Sequence, residues 1–326
     1  MTSRLLFIIG LALVFDFLNG FHDSSNIVAT VISSRAMAPR HVLLITAIAH
    51  FAGPFLFGVA VATTIGHEVV QEAAVTLPVI EAGLISAIVW NVFTWFFGIP
   101  SSSSHALVGG IVGAVAIQSG WDALRLEGLT KVVTALLVSP ILGLIGGYFV
   151  MKLILFLVRG ASPRINWFFK RGQWGTALWL ALSHGTNDAQ KTMGIVTMAL
   201  LAEGVISDFA VPTWVITLSA GAIALGTALG GWRLIRTLGG KFYKIRPVHG
   251  FASQVASASV IMGAALLGGP VSTTQVVSSA IMGVGSAERP NKVRWDVARQ
   301  IVTAWVLTIP VTAAVAALIY GVISLM

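Results

Sequence analysis

Residues 98–110 read Gly-Ile-Pro-Ser-Ser-Ser-Ser-His-Ala-Leu-Val-Gly-Gly, in the middle of an apolar segment that runs from 78 to 118. A helix needs only about 20 residues to cross hydrocarbon, so this segment is too long for one crossing. Pro100 cannot continue the preceding helix, and the hydroxyls of Ser101 to Ser104 suit the start of a new one. No Asp, Glu, Lys or Arg marks the break, as a solvent turn would. The stretch therefore predicts the tip of a helical hairpin lodged inside the protein, tolerable in a membrane only where protein or a wet cavity surrounds the backbone. A second overlong segment, 247–286, breaks the same way at Pro270-Val271-Ser272-Thr273-Thr274-Gln275.

Composition agrees that lipid is the main solvent. The 326 residues are 56% hydrophobic and only 10% charged, with a mean hydropathy of +0.89; a soluble domain carries roughly a quarter charged residues. Further apolar segments lie at about 4–33, 42–65, 130–158, 174–201, 211–232 and 298–323. Glycine, at 34 residues, suits helices that pack closely in lipid. The absence of cysteine excludes disulfides and thiolate metal sites. Arg4 ahead of an apolar run resembles a signal peptide, but the run contains Asp16 and leads into a polar cluster, so it reads as a first span.

The net charge of +8 reflects loops on one side of the membrane and not nucleic-acid binding. Arg35 and Arg40 lie in one loop, and Arg159, Arg164, Lys170 and Arg171 in the next of its kind. Arg233, Arg236, Lys241, Lys244 and Arg246 follow, then Arg289, Lys292, Arg294 and Arg299, which makes 15 of the 20 basic residues. The opposite loops hold Glu68, Glu72, Glu81, Asp122, Glu127, Glu203 and Asp208, against Arg4, Arg125 and Lys131. The positive-inside rule then places both termini outside an inner membrane.

The chain also repeats itself upside down. Residues 1–158 predict a crossing inward, a crossing outward, a hairpin and a crossing inward; residues 174–326 predict the same order inverted, after a short basic linker at 159–173. Asn19-Gly20-Phe21-His22-Asp23 corresponds to His184-Gly185-Thr186-Asn187-Asp188, and the two Pro-hydroxyl tips correspond to each other. Inverted repeats with interrupted helices point to a midplane site reached alternately from each side.

Polar residues concentrate at those places. Asp16, Asn19 and Asp23 share one helical face, with His22, Ser24, Ser25 and Asn26 beside them. An ionised carboxylate in mid-membrane costs at least about 2.5–3.5 kcal/mol, so Asp23 is read as functional unless it hydrates at a span end. Asp16 has Ala181 as its repeat counterpart, and its plain alternative is a hydrogen bond to a neighbouring helix. The second cluster is Ser183, His184, Asn187, Asp188, Gln190 and Lys191. Lys191 stands three residues from Asp188, as a structural ion pair or as positive potential for an anion.

At the tips, Ser101 to Ser104 and Ser272 to Thr274 start half-helices whose free N–H groups and dipole suit an oxyanion; in the plain alternative they are caps. Two carboxylates facing an anion repel it in a low dielectric. Such a site needs Na⁺, protons or a divalent metal, and Asp23, Asp188 and amides such as Asn26 are suitable hard-oxygen ligands. No metal site is assigned. His22 and His105 are candidate proton carriers; His41, His67 and His249 sit near span ends. The Trp90–Trp95 and Trp167–Trp179 regions read as packing or interfacial aromatics. No His-Glu-x-x-His, Gly-x-Ser-x-Gly or phosphate-loop motif occurs, so an enzyme is not expected.

The paired Asn19–Asp23 and His184–Asp188 elements, with Pro100-Ser101-Ser102-Ser103-Ser104-His105 and Pro270-Val271-Ser272-Thr273-Thr274, resemble the inorganic phosphate transporter (PiT) family over nearly the whole chain. The resemblance implies an all-α integral membrane protein of two inverted repeats, a cation-coupled symporter of inorganic phosphate and often a homodimer. It implies substrate contacts at Asp23, Ser101, Ser102, Ser103, Ser104, Asn187, Asp188, Ser272, Thr273 and Thr274. His22 stands where the common family form has Asn, as in the bacterial low-affinity subgroup, which implies proton coupling and carriage of metal–phosphate complexes. The coupling ion is thus H⁺ or Na⁺, with no cofactor. A sulfate permease of the same family and, in another class, an anion channel are the alternatives.

Overall fold

The computed structural model describes residues 2–65, 70–71 and 74–325; Glu68, Glu72 and His67 lie outside the described residues. Among those, the apolar runs form α-helices and no strand ladder, with one isolated bridge between Val70 and Leu124. In chain order they are α1 (Ser3–Ser33), α2 (Pro39–Phe57), the single turn α3 (Ala60–Thr63), α4 (Leu77–Phe97), α5 (Ser103–Ser119) and α6 (Leu126–Leu157). Then come α7 (Ile165–Ala202), α8 (Thr213–Leu229), α9 (Trp232–Gly240), α10 (Pro247–Leu266), α11 (Thr273–Glu288) and α12 (Trp295–Ile323).

Both overlong segments break where the Pro-hydroxyl runs predict. Gly98 ends α4 with φ of 66° in a Schellman turn, Ile99 N–H reaching Thr94 O at 2.9 Å, a conformation that favours glycine. Ser102 then caps α5, its Oγ accepting from His105 N–H at 3.1 Å, and Ser272 caps α11 through Gln275 N–H at 3.4 Å.

Three boundaries differ from expectation. The segment 42–65 divides at Gly58 into α2 and α3. The stretch expected as a linker over 159–173 becomes helical at Ile165, because Phe169 buries against α10 while Lys170 and Arg171 stay exposed. Arg233 and Arg236 lie on α9, bent by 69° from α8, rather than in a loop. Leu234, Ile235 and Leu238 are buried there, and the surrounding charge masks that spacing in the sequence.

The molecule is apolar outside and polar inside. Leu137, Ile141, Phe149, Leu153 and Phe156 of α6 are exposed, while Asp16, Asp23, Asp188 and Lys191 are buried. Among the described residues, five helices are individually long and apolar enough to cross a bilayer, six if α8 and α9 count as one bent span. The 38 residues of α7 are also long enough, but its centre carries the second polar cluster.

The two halves of the chain interleave. Helix α1 packs on α8 and α4, α7 on α2 and α10, α5 on α12, and α6 on α11. Small residues permit this. A side chain at Gly109 or Gly113 of α5 would overlap the backbone of Ile309 or Ala313 on α12, and one at Gly143 or Gly147 of α6 would meet that of Val276 or Ala280 on α11.

Candidate functional site

The glycine of each repeated motif lets the polar clusters approach. Gly20 lies against the Ile223 backbone of α8, and Gly185 against the His50 backbone of α2. This close packing leaves Asp23 on α1 and Asp188 on α7 in the interior, where the second hairpin tip enters between them and the first meets Lys191.

Thr273, at the first turn of α11, sits between the acids. Its hydroxyl donates to Asp188 Oδ2 at 2.8 Å, with Asp23 Oδ2 at 3.4 Å. The neighbouring Thr274 donates to Asp23 Oδ1 at 2.8 Å and accepts from Asn26 Nδ2 at 3.1 Å. His22 Nδ1 lies 3.0 Å from Asp23 Oδ1. Lys191 joins the other tip: its ammonium is paired with Asp188 Oδ1 and donates to Ser104 Oγ at 2.6 Å and to Val271 O at 3.0 Å. Ser104 in turn donates to Val271 O at 3.3 Å, so the tips touch directly. Ser103 donates to Asn19 Oδ1 at 2.7 Å, tying α5 to α1.

Asp23, Asn26, Ser104, Asp188, Lys191, Thr273 and Thr274 therefore form one buried network, joined to Ser103 through α1. Other expected residues have different partners. Ser102 and Ser272 are caps, and Ser101 donates to Thr94 of its own hairpin at 2.7 Å. His105 Nδ1 meets Gln275 Nε2 at 3.1 Å, and Asn187 donates to Gly269 O at 3.2 Å. In the clusters, Ser24 accepts from Gly231 N–H at 3.0 Å and Gln190 from Val61 N–H at 2.7 Å. Those two satisfy backbone freed at the breaks between α8 and α9 and between α2 and α3.

His184, which the sequence places in the second polar cluster without a role, is central. Its Nδ1 lies 3.2 Å from Asp188 Oδ2 and its Nε2 3.9 Å from Asp23 Oδ2. His50 stacks on it with ring centroids 4.9 Å apart, and is held in turn by Thr227 at 2.8 Å. The i, i+4 spacing of His184 and Asp188 is a signal in the sequence; the stack across helices is not. Asp23, His184 and Asp188 offer ligand atoms all within 4.8 Å of one another, a nitrogen and carboxylate set suited to a divalent cation.

Unpartnered buried atoms divide by chemistry. Asn26 Oδ1 and Asn187 Oδ1 are acceptors, which suit a cation; Asn19 Nδ2 is a donor, and His22 Nε2 and His105 Nε2 can be, which suits an oxyanion.

The phosphate transporter family model matches residues 19–316, from the first polar motif to the last helix. The chain belongs to the phosphate transporter family. A probable low-affinity inorganic phosphate transporter of Bacillus subtilis is 42% identical over 96% of this chain and 95% of its own. One from Rhizobium meliloti is 43% identical over 96% and 94%. A solved structure titled as the sodium-dependent phosphate transporter superposes with a TM-score of 0.87 at 24% identity, covering 100% of both chains, and so shares the fold. In this phosphate transporter family member Ser104, Thr273 and Thr274 of the hydroxyl runs belong with the acids to one buried constellation.

Proposed function

We propose that this protein is a secondary transporter that carries inorganic phosphate with a coupling cation, H⁺ or Na⁺, by alternating access. The observation that carries the reading is the reach of Lys191 to both hairpin tips and to Asp188 in a buried site. Two half-helix N-termini, hydroxyls that donate and accept, and an ammonium favour a protonated oxyanion. Asp23 and Asp188 exclude that anion unless cations accompany it, which is symport expressed as electrostatics. With His184 these acids also suit a divalent metal carried together with phosphate as cargo.

The proposed architecture is two inverted repeats, 1–158 and 174–326, flanking the basic segment 159–173. The main packing pairs have counterparts when the halves are exchanged, which supports this: α1 on α8 with α7 on α2, α5 on α12 with α11 on α6, and α1 on α9 with α7 on α3. Both termini are assigned to the outside of the inner membrane, and the unit to a homodimer.

Radiolabelled phosphate uptake into proteoliposomes, with separately imposed pH and Na⁺ gradients and sulfate as competitor, tests the function. Accumulation that needs a cation gradient and resists sulfate supports it. Conductance without cation dependence identifies a channel, and preference for sulfate replaces the substrate.

A further inference from the structure

The network around Asp23 and Asp188 leaves one buried acid unused. Asp16 lies two helical turns from Asp23 on α1 and is buried completely. Thr192 of α7 donates to its Oδ1 at 2.6 Å. Ser219 of α8 faces the same carboxyl, yet neither Ser219 Oγ nor Asp16 Oδ2 has a hydrogen-bond partner among the described residues.

Among the described residues no cation is paired with it. The charged groups that face Asp16 are Asp188 and Lys191, and the ammonium of Lys191 is committed to Asp188, Ser104 and Val271. Helix α8 has no titratable residue, and the one on α4, Glu81, is paired with Arg4 near the start of α1. His50 of α2 stacks on His184, while Arg233 and Arg236 belong to α9, which meets α1 near Ser33. An ionised carboxylate buried without a counter-charge is unfavourable, and the one hydroxyl bonded to it, that of Thr192, offsets it only in part. A single proton on Oδ2 removes the uncompensated charge, while Oδ1 keeps the bond from Thr192.

We propose that Asp16 is the proton-carrying group of the transport cycle, a site distinct from the cation ligands Asp23 and Asp188. The inference rests on the phosphate-symport reading and assigns its coupling ion. The carboxylate takes up a proton at Oδ2 from the side of high proton activity and becomes neutral. Removing that negative charge beside Asp188 favours entry of the oxyanion, and loss of the proton on the other side favours its release.

The test uses purified protein in proteoliposomes and Asp16→Asn, which imitates the neutral acid. An inward gradient of about one pH unit supports up to about tenfold accumulation per proton carried. Wild type is expected to approach this ratio. Asp16→Asn is expected to stay near unity while phosphate–phosphate exchange at equal pH remains measurable. Infrared difference spectra should show a protonated-carboxyl stretch that the variant lacks. Accumulation by Asp16→Asn equal to wild type overturns the proposal. Wild-type uptake driven by Na⁺ and indifferent to pH overturns it too, yet leaves the phosphate reading standing. No wild-type uptake under either gradient removes that reading first. If Asp16→Asn does not reach the membrane, Asp16→Glu decides: a shifted protonated-carboxyl band supports the assignment, and an unshifted band rejects it.

Discussion

At the scale of single residues, the site depends on which hydroxyls reach the acids. The Thr273 hydroxyl lies within reach of both Asp188 and Asp23, so Thr273→Val removes the donor they share, whereas Thr273→Ser keeps it. A hydrogen bond to a charged group is worth about 1.5–3 kcal/mol, roughly tenfold to a hundredfold in an equilibrium constant. Phosphate uptake titrations should show a loss of that order for Thr273→Val and a small change for Thr273→Ser; equal behaviour of the two variants would remove Thr273 from the site. Asp188→Asn releases Lys191 from its partner and is expected to abolish cation-dependent uptake in protein that still elutes as a folded species. The runs of hydroxyls drew attention to all of Ser101 to Ser104 and Ser272 to Thr274. Sequence does not separate cap from ligand within them, since both roles need a hydroxyl at the start of a helix.

At the scale of elements, close packing and an ionic cluster hold the hairpins. Gly113 meets Ala313 so closely that Gly113→Val must push α5 from α12. Overpacking of this kind costs about 1–3 kcal/mol, and thermal unfolding in detergent should fall by several degrees, whereas Gly175→Ala, with open space around it, should change little. At the basic face, Glu288 at the end of α11 binds Arg246, His249 and Lys292, linking the start of α10 to the approach to α12. Partial burial would raise its pKa, but the hydrogen bond from Lys292 and the charges of His249, Arg246 and Lys292 prevail and hold it down to about 2. A depressed carboxyl stabilises the fold above the ordinary carboxylate range and loses that contribution as pH falls through the folded value. The melting difference between wild type and Glu288→Gln should therefore be constant near neutrality and shrink as pH drops from about 4 toward 2. A difference that grows on acidification would contradict the assignment. The hairpin breaks were legible as Pro followed by hydroxyls. The break at Gly58 was not, because Gln190 of another helix stabilises it.

For the whole molecule, the asymmetry of basic residues predicts which face is cytoplasmic. With no native cysteine, any introduced one is unique. Asp208→Cys should react with an impermeant maleimide on intact cells, and Lys244→Cys only after permeabilisation; the reverse pattern would invert the topology. The all-helical, apolar class was plain from hydropathy alone, and the family resemblance rested on four short motifs in order. Interleaving was not legible: nothing in either half announces that α1 packs on α8 and α7 on α2.

The amino-acid sequence by itself determined the solvent, the helical class, the paired breaks and the two acid-bearing motifs, because hydropathy, proline and buried charge act locally along the chain. Tertiary structure alone decided that Lys191 bridges the tips, that His184 stands between the acids and that Asp16 faces Ser219. Those contacts join residues from separate helices. Which side chains meet across them depends on how closely glycine lets the helices approach and how far each has turned about its axis.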